Sequence, residues 1–72
     1  MELKEWLDKR RFSAQAFAAL IGYTQPTSIY RILRGERRPS AEMAKAIEII
    51  TEGDVTSLDL DETVRRWRRH HD

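Results

Sequence analysis

The chain has 72 residues, 35% of them charged, with a net charge of +1 and no cysteine. That length supports one small domain, which buries only about 60% of its unfolded surface, and the lack of cysteine removes disulfides and thiolate metal sites as staples. The richest apolar run, AFAALI, is far short of the roughly 20 residues that span a bilayer, and MELKEWLDKRR lacks the apolar core of a secretory signal, so a cytoplasmic chain with no membrane partner is expected.

Five helices are predicted in chain order, and no strand pattern competes with them. Leu3, Trp6 and Leu7 give an i, i+3, i+4 stripe over roughly residues 2–10. Ser13 is placed to cap a second helix by accepting from an amide near Gln15 or Ala16. Its buried stripe is expected to be Phe17, Leu20 and Ile21, with Ala18 at a close backbone approach and Gly22 at a sharp corner. A third helix is expected to start at Gln25 or Pro26, because proline is tolerated at a first helical position, and to stop at Gly35.

Ser40 caps the fourth predicted helix, with Met43, Ala46, Ile47 and Ile50 as its core stripe and Gly53 as its stop. Residues 54–59 read as a polar connection with Val55 and Leu58 tucked against the body. A last helix, capped by Asp59 or Asp61 and covering residues 59–70, has Leu60, Val64 and Trp67 on its one apolar side. The prediction is therefore an all-α fold of four to five helices in a single domain over residues 1–72.

Charge is distributed unevenly. Residues 25–38 carry four arginines (31, 34, 37 and 38) against Glu36, a net of +3, whereas residues 41–60 carry Lys45 against five acids, a net of −4. A protein that meets a polyanion with one face needs such asymmetry. On the third helix Ile29 and Ile32 lie inward, leaving Gln25, Thr27, Ser28 and Arg31 outward, where they can exchange hydrogen bonds with base edges.

Ala18, Gly22, Ile29, Ile32, Gly35 and the following Arg-Arg-Pro-Ser resemble the helix-turn-helix of the lambda-repressor/Cro class, the Xre family, over roughly the first 50 residues. Residues 13–35 form the core of the resemblance. It implies a sequence-specific transcriptional regulator of double-stranded DNA, a phage or prophage-type repressor on a palindromic operator, acting as a homodimer. Near the start of an inserted helix, Gln25 suits an adenine, Thr27 a thymine methyl and Ser28 a base edge, while Arg31 suits a guanine or a phosphate. Gln15, Arg34, Arg37, Arg38 and Ser40 are the candidate phosphate contacts. Tyr30 suits either a phosphate or packing on the first helix. The chain departs from the family pattern in two places. Gly22 to Ile29 is one residue longer than usual, and Ala14 stands where glutamine often follows the serine, with Gln15 one step on.

The C-terminal VRRWRRHHD offers Val64 and Trp67 either to the body or, with Ile49, to a dimer interface. His70 and His71 have no third ligand nearby, so no metal site is expected. With no nucleophile motif and no glycine-rich phosphate loop, neither enzymatic activity, nor a cofactor, nor a small-molecule ligand is expected. The rival reading is an antitoxin or adaptor that uses the same fold to hold a protein partner and to autoregulate its operon.

Overall fold

A computed structural model describes residues 1–22 and 26–71. Five helices follow in order: α1 Leu3–Arg10, α2 Ala14–Leu20, α3 Pro26–Arg34, α4 Ala41–Ile50 and α5 Ser57–His71. No strand occurs among the described residues. No helix among them is long and apolar enough to cross a membrane.

The core collects one stripe from each helix. Leu3, Trp6 and Leu7 of α1 meet Phe17 and Ala18 of α2, Ile29 and Ile32 of α3, Ala44 and Ile47 of α4, and Leu60 and Val64 of α5. Trp6, Phe12 and Phe17 form an aromatic cluster with ring centroids 5.9–6.3 Å apart, close enough for edge-on attraction in addition to area burial. Phe17 and Ile29 have no exposed surface; each contributes about 1.5–3 kcal/mol by leaving water.

Helix ends follow local chemistry. Ser13 Oγ accepts from the Ala16 amide at 3.1 Å and Ser40 Oγ from the Met43 amide at 3.2 Å, the two caps expected from sequence. The end of α3 is a Schellman motif: the Glu36 amide donates to Arg31 O and the Gly35 amide to Ile32 O, with Gly35 left-handed at φ +86°. At the end of α4 both Glu52 and Gly53, the glycine expected to stop the helix, are left-handed, at φ +54° and +84°, and the Gly53 amide donates to Glu48 O. Behind them, fully buried Thr51 donates to Ile47 O at 2.8 Å and accepts from the Val55 amide at 3.2 Å, tying the connection to the helix.

Four expectations are corrected. Leu20 is 56% exposed, and the buried side of α2 runs through Phe17, Ala18 and Ile21. The core side of α4 centres on Ala44 and Ile47, with Met43, Ala46 and Ile50 half-buried at its edges. α5 begins at Ser57, and Thr56 rather than Asp59 or Asp61 caps it: Thr56 Oγ1 accepts from the Asp59 amide while Asp59 Oδ2 accepts from the Thr56 amide. Leu58 is 76% exposed, since a helix in the register of Leu60 and Val64 turns it away from the body.

Asp59 also accepts from the Met1 ammonium at 2.9 Å. Burial works to raise its pKa, but the Thr56 amide, the ammonium and the Thr56 hydroxyl outweigh burial and hold the carboxyl below its ordinary value. A carboxylate with a depressed folded pKa stabilises the fold above its ordinary titration range, and the contribution is lost as pH falls through the folded value. Thermal melts from neutral to acid pH should therefore lose part of their stability at the acid end, and Asp59→Asn should flatten that limb.

Candidate nucleic-acid interface

α3 packs most extensively on α2 and next on α5. Gly22, left-handed at φ +96°, follows the last turn of α2. Ile29 and Ile32 pin α3 from beneath, with Leu33 half-buried beside them. The opposite side is exposed along Thr27, Arg31 and Arg34, spaced i, i+4, i+7 and so aligned in one stripe. Half-buried Ser28 and exposed Tyr30 flank that stripe on its two shoulders. Gln25, one of the two expected starts of α3, lies outside the described residues.

The expected phosphate contacts outside α3 are exposed as well. Gln15 is exposed in the first turn of α2, and Arg37, Arg38 and Ser40 are exposed on the segment that leaves α3. The Ser40 hydroxyl oxygen is engaged as a cap, which leaves its proton available to an acceptor. Arg31 and Arg37 make no ion pair among the described residues.

Two arginines on this surface are already paired, a feature that sequence reading missed. Arg34 Nη2 stands 2.9 Å from Glu36 Oε2 and Arg38 Nε 3.1 Å from Asp61 Oδ1. For Arg34 the signal was present in the sequence, as one acid inside an otherwise basic run; Asp61 is brought in only by the packing of α5. Exposed pairs of this kind hold about 0–1 kcal/mol, so a phosphate can displace either carboxylate. Glu36→Gln should tighten binding to every duplex several-fold at low salt without changing sequence preference, as measured by anisotropy titration on two unrelated duplexes.

The residues expected at a dimer interface separate into different environments. Ile49 is 65% exposed on α4. Val64 is buried in the protomer core and cannot reach a partner. Trp67 is half-buried, stacked on His71 at 4.2 Å between ring centroids, and its Cβ lies 3.0 Å from where a Cβ on Gly35 would stand. Among the described residues no group of three or more His, Asp and Glu could hold a metal ion.

Two short helices joined at a glycine corner, the second buried on its isoleucine side and basic on its open side, define a helix-turn-helix DNA-binding protein. The chain belongs to the helix-turn-helix family, whose profile matches residues 3–56, in its lambda-repressor/Xre form. Comparison with curated proteins and with solved structures gives no match. The family assigns the chain a role in DNA binding and transcriptional regulation. Its match ends one residue before α5 begins.

Proposed function

We propose that this protein is a cytoplasmic transcriptional repressor of the phage or prophage type, which binds an inverted-repeat operator as a homodimer and blocks polymerase. The observation that carries this reading is the one-sidedness of α3: Ile29 and Ile32 are spent in the core while Thr27, Arg31 and Arg34 stand open. Thr27, Ser28 and Arg31, with Gln25, read base edges in the major groove. Gln15, Tyr30, Arg34, Arg37, Arg38 and Ser40 hold phosphates and set the register. Half-sites lie one helical turn apart or a multiple of that.

The dimer contact in this proposal uses Ile49 and Leu58, the two most exposed large apolar side chains among the described residues. In a two-fold dimer the same patch meets itself, so both side chains are covered in both copies.

The operator is first obtained by selecting bound fragments from the host genome. On it, Arg31→Ala should cost about 1–3 kcal/mol and relax preference at one base position. Arg37→Ala should weaken all duplexes alike and reduce the salt dependence by about one phosphate contact. Gel-shift competition with point-mutated operators separates the two behaviours; equal losses on every operator for both variants would refute this division of labour.

A further inference from the structure

We infer that α1 and α5, outside the helix-turn-helix, supply a second set of phosphate contacts to the duplex that α3 faces; the inference rests on that reading of α3. A cleft of about 790 Å³ lies between α1, α3 and the last turns of α5. Tyr30 and Arg34 line it from the exposed side of α3, and Ser13 and Ala14 line it from the start of α2. The cleft thus adjoins the face offered to DNA, and a backbone strand passing the start of α2 runs along it.

Its remaining walls carry charges of both signs. Lys4 comes from α1 and Arg66 and His70 from α5. Residues 65–71 contain four arginines and no acid. The carboxylates on the same walls are Glu2 and Asp8. Glu2 is paired with Arg66, whereas Lys4 and Asp8 are both exposed and unpaired among the described residues. Arginine grips phosphate in the same forked geometry that it uses for a carboxylate, so the strand can take the place of Glu2 on Arg66.

The α5 wall is anchored. Trp67 rests against the end of α3 at Gly35 and stacks on His71, whose Nδ1 lies 2.8 Å from Trp67 O. Arg66 and His70 therefore project from a packed helix, and little ordering remains to be done on binding. The family match stops short of this helix, so Arg66 and His70 lie outside the matched region and Lys4 lies within it.

The test uses the whole chain and a mixed-sequence duplex, titrated by fluorescence anisotropy across a range of salt. Lys4→Gln and Arg66→Gln should each bind several-fold more weakly at low salt, with the salt slope reduced by about 0.9 for each phosphate no longer neutralised. Glu2→Gln should bind more tightly than the parent. Circular dichroism melts show that each variant is folded before it is titrated. If Lys4→Gln and Arg66→Gln match the parent while Arg37→Ala shows a reduced slope, the cleft walls do not touch DNA, and the assignment of α3 stands alone. A loss of affinity in Glu2→Gln equal to that in Arg66→Gln would also overturn the inference, since the pair would then be purely structural. A parent chain with no duplex affinity would remove both readings together.

Discussion

Gly35→Ala is expected to lower the melting temperature by roughly 10–30 °C. Two independent costs add at this position. Gly35 is left-handed at φ +86°, a conformation that costs an L-residue about 1–2 kcal/mol. A Cβ there would also overlap the Thr63 carbonyl oxygen, lie 2.8 Å from its carbonyl carbon and stand 3.0 Å from Trp67 Cβ. Two of those atoms are backbone and cannot swing away, so α5 must move, at about 1–3 kcal/mol for overpacking. The sum is about 2–5 kcal/mol, against about 4–11 kcal/mol for a whole domain of this size, and each kcal/mol shifts the melt by about 4–8 °C. Gly22→Ala is the internal control. Gly22 is also left-handed, but among the described residues nothing lies within 4 Å of an added Cβ, so only the conformational cost should appear. Thermal melts of the two variants side by side measure the close approach of α5 to the end of α3.

In the proposed homodimer, Ile49→Glu combined with Leu58→Glu is expected to leave a folded monomer and to abolish most operator affinity. Both side chains are largely exposed and support nothing within the protomer, so the melt of the monomer should change little. Linking two half-site contacts raises apparent affinity by about 10²–10⁴ through effective concentration alone, and the double variant forfeits that gain. Sedimentation should report the monomer, and titration on one half-site should return the parental affinity. Parental affinity on the full inverted repeat would place the dimer contact elsewhere.

The helix-turn-helix was readable because its signals are local. Ser13 and Ser40 announce caps three residues before the amides they satisfy, Gly35 marks a left-handed stop, and Ile29 with Ile32 sets which side of α3 is inward. What escaped the sequence depends on packing. Leu20 fits the apolar stripe of a seven-residue helix, and only the packing of the folded chain leaves it exposed while Ala18, expected at a close approach, is buried. Leu58 reads as core until α5 is seen to begin at Ser57, which sets its register by Leu60 and Val64. Val64 fits either a core or an interface by composition, and the contact between α5 and α3 settles it inward. The pairing of Arg38 with Asp61 joins residues 23 positions apart and leaves no local trace.

The regulation of this surface is electrostatic as much as geometric. Arg34 and Arg38 each hold a carboxylate in the absence of a polyanion, which keeps the side chains ordered at modest cost in affinity. In the proposed complex with a duplex the same guanidinium groups exchange partners, and Glu36 and Asp61 are left facing phosphate. Binding should then depend steeply on salt, with the two acids setting how tightly the protein holds sequences that it does not recognise.

Amide chemical-shift mapping of the isotope-labelled chain, titrated with its selected duplex, interrogates the central assignment most directly. The largest changes should fall on Thr27 through Arg34 and on the exit segment through Ser40, with smaller ones at Gln15. Changes confined to the acidic outer side of α4, with Thr27 and Arg31 unmoved, would contradict it.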